Sequence, residues 1–124
     1  MKILSVDDSA MMRRIISGAI EVVGYECIEA SDGLEALNKL SQFHKDIELI
    51  LLDWNMPNMD GLSLLHKIKE NDDYKDIPVT MVTTESEKGK VAEAIKAGAI
   101  NYVMKPFSQE DLVTKIMESL GKGF

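Results

Sequence analysis

The sequence predicts an α/β fold in which a parallel five-stranded sheet is covered by helices on both faces. Three observations predict it. Five apolar runs of strand length alternate with five segments of helical periodicity, their connections are short, and the central run, residues 49–52, is continuously aliphatic. Short βα connections imply right-handed crossovers between parallel strands. Five such units fit the flavodoxin-like doubly wound (βα)5 arrangement, with strand order 2-1-3-4-5.

The first quarter of the chain is predicted to form two strands around one helix. A strand from Lys2 to Val6 precedes a helix that Ser9 caps and Gly24 ends, since glycine adopts the left-handed conformation readily. The apolar residues of this helix recur at helical spacing: Met12, Ile15, Ile16, Ala19, Ile20 and Val23. The run from Tyr25 to Ala30 is shorter and more polar, which favours an edge strand.

The central strand is flanked by two further helices. Asp32 opens the first of them, and Glu35 three residues later is its expected capping-box partner. The strand ends at Asp53, because Pro57 prevents its continuation. We predict a third helix from about Gly61 to Glu70, with its inward face formed by Leu62, Leu65 and Ile68.

The last third of the chain repeats the same alternation. A strand from Val79 to Thr83 is followed by an alanine-rich helix, roughly Glu87 to Ala97. The fifth strand covers Asn101 to Met104. Ser108 and Asp111 form a capping box for the final helix.

Composition limits the classes of function that fit this chain. Its 124 residues suit a single domain, residues 1–124, and show no linker to a second domain. We therefore expect this domain to act through contacts with other proteins. The net charge of −7 argues against nucleic-acid binding. No apolar run is long enough to enter a membrane, and the early Asp7-Asp8 pair does not fit a signal peptide. The single cysteine, Cys27, fits a reducing compartment, so we expect the cytoplasm. A small acidic domain of this kind is expected to be a monomer.

Polar side chains follow four of the five predicted strands. They are Asp7 and Asp8, Asp53, Thr83, and Lys105. In the 2-1-3-4-5 order these strand ends are neighbours, so the side chains should converge at one edge of the sheet. Three close carboxylates repel one another unless a cation joins them, and oxygen ligands without histidine or cysteine favour Mg²⁺ over zinc. A metal, a lysine and a hydroxyl together suit the neutralisation of a phosphoryl group in transfer.

This set of residues resembles the motif set of the receiver domains of two-component response regulators. The resemblance rests on Asp7-Asp8, on the segment from Asp53 to Gly61, on Thr83 and on Lys105-Pro106-Phe107. It covers the whole chain in order and with fitting spacings. Within the family, the segments from Asp8 to Arg14 and from Asp53 to Leu62 are most similar to chemotaxis-type single-domain regulators.

The resemblance implies a role for each matching residue. Asp53 would be the phosphoacceptor, taking its phosphoryl group from a phosphohistidine of a sensor histidine kinase. Asp8, Asp53 and the main-chain carbonyl of Asn55 would hold Mg²⁺, with Asp7 acting mostly through water. Lys105 would pair with Asp53 and then with a phosphoryl oxygen. The module would be a signalling switch rather than an enzyme, although it assists its own phosphorylation and dephosphorylation.

The resemblance also implies how the signal leaves the domain. Thr83 would hydrogen-bond the phosphoryl group, and Tyr102 would turn inward after it. The Lys105-Pro106 peptide bond is expected to be cis. The output face would consist of helix 4, strand 5 and helix 5, and a flagellar motor switch component is an expected partner, with a phosphatase as a further one. Trp54 is expected to lie exposed beside the acceptor.

Two positions depart from the family pattern, and three other functions stay open. Thr84 stands where receivers often carry a smaller residue, and Glu87-Lys88 stands where motor-binding regulators often carry two basic residues. A phosphorelay intermediate or phosphate sink fits the same residues. A Mg²⁺-dependent phosphohydrolase would need a general acid–base residue and a substrate pocket, and the sequence shows neither clearly. An FMN-binding flavodoxin would need a phosphate loop where Asp7-Asp8 stands.

Overall fold

The computed structural model describes residues 1–121, and of Glu85 the backbone alone. Strands and helices alternate along this range, and one 3₁₀ segment, Glu85–Lys90, precedes the fourth helix. No helix within it combines the length and the apolar character needed to cross a bilayer. The elements in chain order are β1 (Lys2–Val6), α1 (Ala10–Val22), β2 (Glu26–Ala30), α2 (Gly33–Phe43), β3 (Ile47–Asp53), α3 (Gly61–Glu70), β4 (Val79–Thr84), α4 (Val91–Lys96), β5 (Asn101–Lys105) and α5 (Gln109–Ser119).

The five strands form one parallel sheet in the order β2-β1-β3-β4-β5, which confirms the predicted topology. Val6 of β1 lies beside Leu52 of β3, so the two residues that follow, Asp7 and Asp53, leave the sheet at the same level. Thr84 of β4 lies beside Lys105 of β5. The carboxyl ends of β1, β3, β4 and β5 therefore meet at one edge, as the strand order requires.

Each face of the sheet has its own apolar core, and β3 contributes to both. Leu49 and Leu51 pack on one side with residues of α1 and α5. Ile50 and Leu52 pack on the other side with residues of α2, α3 and α4. Successive residues of a strand point to opposite faces, so a continuous aliphatic run serves a strand buried on both sides.

Two predicted helix faces differ in detail from the observed ones. Ile15 is 44% exposed, because the buried side of α1 is narrow and centres on Ile16, Ala19 and Ile20. In α3 the fully buried residues are Leu64, Leu65 and Ile68, whereas Leu62 only packs at the flank of that core. A helical stripe read from spacing alone includes flanking residues that the sheet does not cover.

The prediction of one regular fourth helix from Glu87 to Ala97 is wrong. The chain instead forms the 3₁₀ segment Glu85–Lys90 and then a short α4, Val91–Lys96. Gly89 is a poor helix former, and Ala94 is the buried residue of α4. The carboxylate of Glu87 also turns back onto the main chain of Thr84, which favours a tight turn at this point.

The predicted caps at Ser9, Asp32 and Ser108 and the predicted end of α1 at Gly24 are confirmed. Glu35 is not the capping-box partner of Asp32, however, because its carboxylate accepts from the Ser31 amide instead. The side chains of Ser9, Asp32 and Ser108 each accept a hydrogen bond from the amide three residues further on. Gly24, directly after the end of α1, has a φ of +83°, which glycine adopts without steric cost. The Lys105–Pro106 peptide bond is cis, as expected.

Candidate functional site

Three carboxylates and one ammonium group meet at the carboxyl edge of the sheet. Asp7, Asp8 and Asp53 each present a carboxylate oxygen, and these oxygens lie within 4.8 Å of one another. The side chain of Lys105 reaches back from the end of β5, and its Nζ lies 3.4 Å from Asp7 Oδ2 and 3.3 Å from Asp53 Oδ1. Asp7 and Asp53 are buried, whereas Asp8 is exposed. The structure thus brings together the four charged residues that the sequence assigned to one site.

The end of β3 is shaped by a glycine in the next helix. The amide of Gly61 donates to the carbonyl of Trp54 at 2.8 Å, and a Cβ at Gly61 would overlap the Asp53 carbonyl oxygen. The amide of Trp54 in turn donates to Asp53 Oδ1 at 2.9 Å. Oδ1 therefore accepts the protein hydrogen bonds, and within residues 1–121 none is made to Oδ2. The second oxygen of Asp53 is left for another ligand.

The end of β1 is held by an arginine that the sequence argument did not assign. The amide of Ser9 donates to Asp7 Oδ1 at 2.9 Å, and the guanidinium of Arg13 donates to the Asp7 carbonyl at 2.6 Å. Arg13 is itself fixed by an ion pair with Glu29 of β2, with 3.0 Å between Nε and Oε1. A basic residue one helical turn after Ser9 is the only signal in the sequence that points to this contact.

The charges at this edge shift one another's protonation. Burial, with a further contribution from the negative charge of Asp7, raises the pKa of Asp53 to about 6, although Lys105 and the Trp54 amide oppose the shift. Burial by itself lowers the pKa of Lys105, but its attraction to Asp53 and Asp7 outweighs this and the pKa is raised. At pH 7 Asp53 is therefore mostly ionised and Lys105 is charged.

The donor set fits a hard divalent cation. Three carboxylates converge, and exposed Asp8 leaves one side of the cluster open to water, which Mg²⁺ retains in proteins. The residues that zinc prefers lie elsewhere: the ring of His44 bonds the carbonyl of Leu40, and Cys27 sits on the edge strand, where burial raises the pKa of its thiol to about 11. A bound cation would stabilise the ionised form of Asp53, which burial and the negative charge of Asp7 disfavour.

Thr83 and Tyr102 occupy different surroundings. In the register of β3 and β4, Asp53 lies beside Val82, and Thr83 is the next residue of β4. Thr83 is buried, and its hydroxyl donates to the Thr84 carbonyl at 3.4 Å. Tyr102 is 37% exposed on β5, and the Nζ of Lys115 lies 5.5 Å from the centre of its ring. Thr83 thus adjoins the acidic cluster, whereas Tyr102 faces outward between β5 and α5.

The surroundings of Trp54 and Asn55 differ from the sequence prediction. Trp54 is buried rather than exposed, since only 4% of it is accessible, and Lys90 Nζ lies 5.8 Å from its ring centre. The side chain of Asn55 donates to the carboxylate of Glu87, a residue that is itself buried. The hydroxyl of Thr84 points to Glu87 and Ser86. Thr84 and Glu87, both unusual for the family, thus contact each other, and the Thr-x-x-Glu spacing of a capping box is the sequence signal for this contact.

The fold and this edge define a class of protein: a doubly wound α/β domain with an acidic, lysine-containing site suited to divalent metal and phosphoryl groups. Comparison with known families identifies the member of that class. The response regulator receiver domain family matches residues 3–117, and the chain belongs to this family. The predicted family is therefore confirmed.

Relatives of known identity match along nearly the whole chain. A protein named chemotaxis protein CheY homolog from Campylobacter jejuni is 44% identical over 124 residues, covering 99% of this chain and 95% of that protein. Chemotaxis protein CheY1 from Helicobacter pylori is 45% identical over 122 residues, covering 98% of each. The solved structure of chemotaxis response regulator CheY4 of Vibrio cholerae superposes with a TM-score of 0.88 at 35% identity, over 96% of this chain and 98% of that one. The chain is therefore a CheY-like response regulator, as predicted.

Proposed function

We propose that Asp53 accepts a phosphoryl group from a phosphohistidine of a sensor histidine kinase and so acts as the switch of a two-component system. One observation carries the proposal: a mostly ionised carboxylate has one oxygen without a protein hydrogen bond, and a lysine and two further carboxylates stand around it. A carboxylate nucleophile in such surroundings would form an acyl phosphate.

The chemistry assigned to Asp53 is a displacement at phosphorus. An Asp53 oxygen forms a bond to phosphorus while the bond from phosphorus to the imidazole nitrogen of the donor breaks, and the imidazole then takes up a proton. Lys105 is placed to donate to a phosphoryl oxygen, since its ammonium already lies 3.3 Å from Asp53. The hydroxyl of Thr83, which makes only a long hydrogen bond of 3.4 Å to the Thr84 carbonyl, would turn to the new group.

The metal proposed for this site is Mg²⁺, held by Asp7, Asp8, Asp53 and the main-chain carbonyl of Asn55. When bound, it would neutralise charge on the carboxylates and on the transferring phosphoryl oxygens. The protein's own contribution is to hold the carboxylates close together, with Arg13 and Ser9 fixing the Asp7 segment. The domain promotes its own phosphorylation and hydrolysis by this arrangement and acts as a signalling module rather than as an enzyme on other substrates.

The signal would be read at the face formed by α4, β5 and α5. A groove on this face is lined by Tyr102, Met104, Phe107 and Lys115, and Ile95 is exposed on α4. Engagement of Thr83 by the phosphoryl group would favour an inward position of Tyr102 and so change the shape of the face. The names of the relatives, which are chemotaxis proteins, support a component of the flagellar motor switch as the partner.

The exchange is proposed to take place in the cytoplasm, between a kinase as donor, this domain as acceptor and a phosphatase that resets it. The single thiol of Cys27 would stay reduced there. A pull-down with beryllofluoride-treated and untreated protein would identify the partner. Capture of a motor switch component by the treated form alone supports the chemotaxis role, and capture of another phosphotransfer protein instead supports a phosphorelay intermediate.

Replacement of the acceptor tests the proposal most directly. Asp53→Asn removes the nucleophile with little change in size, so radioactive labelling by acetyl phosphate in Mg²⁺ should disappear. Asp72→Asn removes an equal charge from the exposed loop after α3 and should label like the unmodified protein. Undiminished labelling of the Asp53 variant would contradict the assignment. Labelling should reach at most one phosphoryl group per chain, and sustained turnover of a small phosphoester would indicate a phosphohydrolase instead.

A further inference from the structure

A buried carboxylate outside the acidic cluster links the two loops that flank Asp53. Glu87 lies in the 3₁₀ segment Glu85–Lys90 and is 5% exposed. Its Oε1 accepts from the amide of Thr84 at 3.1 Å and from the hydroxyl of Thr84 at 3.0 Å. Its Oε2 accepts from the side-chain amide of Asn55. We call these three residues, Glu87, Thr84 and Asn55, the Glu87 bridge.

The Glu87 bridge joins positions that matter to the site. Asn55 comes two residues after the acceptor Asp53, and its main-chain carbonyl is the proposed fourth metal ligand. Thr84 comes directly after Thr83, and the Thr84 carbonyl is where the Thr83 hydroxyl now rests. The bridge therefore runs from the loop after β3 to the end of β4, across the neighbouring strand ends that frame the acceptor.

The bridge also explains why the two unusual residues occur together. Because the Thr84 hydroxyl donates to Glu87, it must accept from Ser86, whose Oγ lies 2.9 Å away, so both hydroxyls are engaged within the loop. Within residues 1–121, Glu87 forms no ion pair, and its described partners are neutral donors. Burying a carboxylate on neutral donors alone is a poor way to gain stability. The contacts with Thr84 form the capping box of the 3₁₀ segment, whereas the bond to Asn55 lies outside that motif and connects the segment to the loop after β3.

We propose that Glu87 is a positioning residue for the metal site and that it couples metal binding to the Thr83–Thr84 segment. By holding the Asn55 side chain it fixes the peptide whose carbonyl would face the cation. By holding the Thr84 amide and hydroxyl it makes the end of β4 move with that peptide. This inference rests on the proposed function, since it assigns Glu87 a part in the same Mg²⁺-dependent site.

Partners that orient metal ligands commonly change metal affinity by tenfold or more when they are removed. Because Glu87 acts here through a main-chain carbonyl, we expect a smaller loss, about three- to tenfold, for Glu87→Ala. In Glu87→Gln the side-chain oxygen can still accept from Thr84. Rotation of the Asn55 amide then lets its oxygen accept from the new glutamine. The glutamine variant should therefore keep the bridge, and with it most of the metal affinity, although it lacks the charge.

The experiment compares the unmodified chain with Glu87→Ala, Glu87→Gln and the control Glu93→Ala, which removes an exposed carboxylate from α4. Mg²⁺ affinity is followed by the fluorescence of Trp54, which adjoins Asp53. The exchange of the Thr84 amide proton is followed by NMR, first without metal and then with saturating Mg²⁺. Far-UV circular dichroism checks that each variant is folded.

The proposal expects faster exchange of the Thr84 amide in metal-free Glu87→Ala by about tenfold or more, because that amide loses its acceptor. It also expects Mg²⁺ to slow this exchange in the unmodified chain, in Glu87→Gln and in Glu93→Ala, but not in Glu87→Ala. If Glu87 were merely structural, Glu87→Ala would speed the metal-free exchange of the Thr84 amide, but Mg²⁺ would still slow that exchange in the variant.

Two results would overturn the proposal. One is equal Mg²⁺ affinity in Glu87→Ala and Glu93→Ala, and the other is a Thr84 amide in Glu87→Ala that still responds to Mg²⁺. Failure of the proposed function gives a separate result: the unmodified chain would then bind no Mg²⁺ and take no label on Asp53. In that case an unchanged metal-free exchange in Glu87→Ala would also exclude Glu87 as the holder of Thr84.

Discussion

The two parts of strand β3 are built for opposite purposes. Residues 49–52 are aliphatic, fully enclosed and shared between the two cores. One residue later, Asp53 is as buried as a core residue but carries a carboxyl group that faces two others and a lysine. Burial of the first part stabilises the fold, whereas burial of Asp53 lowers the stability because it disfavours the charged form of the carboxyl group.

This difference shows how a small domain can maintain an unfavourable site. The four residues before Asp53 are closely packed and hold its carboxylate beside Asp7 in a buried position, although burial and the Asp7 charge disfavour its ionised form. The surplus stability of the core offsets the cost at the edge. Changes in the aliphatic part of β3 and at Asp53 should consequently alter stability in opposite directions.

Leu52→Ala is the largest expected change, and it affects the core part of the strand. Leu52 is fully buried against α2 and α3, so its truncation should lower the free energy of unfolding by about 3 kcal/mol. Urea unfolding followed by circular dichroism measures the loss. The matched control is Leu34→Ala, which removes an equal volume from a leucine that is 56% exposed and should cost well under half as much. Similar losses for the two variants would contradict the proposed division of the strand.

Asp53→Asn should act in the opposite direction and depend on pH. The folded protein binds a proton at Asp53 with a pKa of about 6, above the ordinary value of 3.8, so ionisation disfavours the folded state. The unmodified, metal-free protein should therefore lose stability as the pH rises from about 4 to about 7. The variant should lack this decrease and be more stable at pH 7 by about 2 kcal/mol, since Lys105 still has Asp7 as its partner.

The pH dependence is measured by denaturant unfolding at several pH values with a chelator present. Saturating Mg²⁺ should stabilise the unmodified protein at pH 7, by about 2.7 kcal/mol at a hundredfold excess over its dissociation constant, and the variant much less. A variant that is less stable than the unmodified protein at pH 7 would show that the folded state does not disfavour the ionised form of Asp53.

Asp8→Asn should have the smallest effect on the stability of the folded protein. It tests an exposed carboxylate of the same cluster that contains the buried Asp53. Asp8 belongs to the same three-carboxylate cluster, but its side chain is exposed to water, which screens its charge. Metal-free stability should therefore change by less than about 0.5 kcal/mol. Mg²⁺ affinity, measured by Trp54 fluorescence, should nevertheless fall clearly because a ligand is lost. A large change in metal-free stability would contradict this view of Asp8 as a carboxylate that water screens from its neighbours.

Much of the fold and of the site could be predicted from local patterns. The aliphatic run before Asp53, the caps at Ser9 and Ser108 and the glycine after α1 each depend on a few neighbouring residues, and the structure confirms them. Strand alternation then determines which chain segments end at the same edge. The proximity of Asp7, Asp8, Asp53 and Lys105 followed from that topology alone.

The predictions that failed concern contacts of single side chains. Trp54 was expected to be exposed because it follows the acceptor, but its ring is buried in the core on the side of α2, α3 and α4, and Lys90 Nζ lies 5.8 Å from the ring centre. The fourth helix was expected to be regular because its sequence is rich in alanine, but the side chain of Glu87 turns back to Thr84. Neither contact leaves a periodic signal, since each joins one residue to another without a repeat.

The sequence by itself determined the class of this protein, its strand order and the residue types at the acidic edge, because burial patterns and caps are local properties of the chain. Only the tertiary structure decided that Asp7 and Asp53 are buried while Asp8 is exposed, that Arg13 holds the Asp7 carbonyl, and that Glu87 connects Asn55 to Thr84. Burial of a charge and the choice of its partners depend on how helices and loops close over the sheet. The contact of Glu87 with Asn55 joins residues far apart in the chain, and the burial of a carboxylate depends on every element packed around it, so no local pattern records either of them.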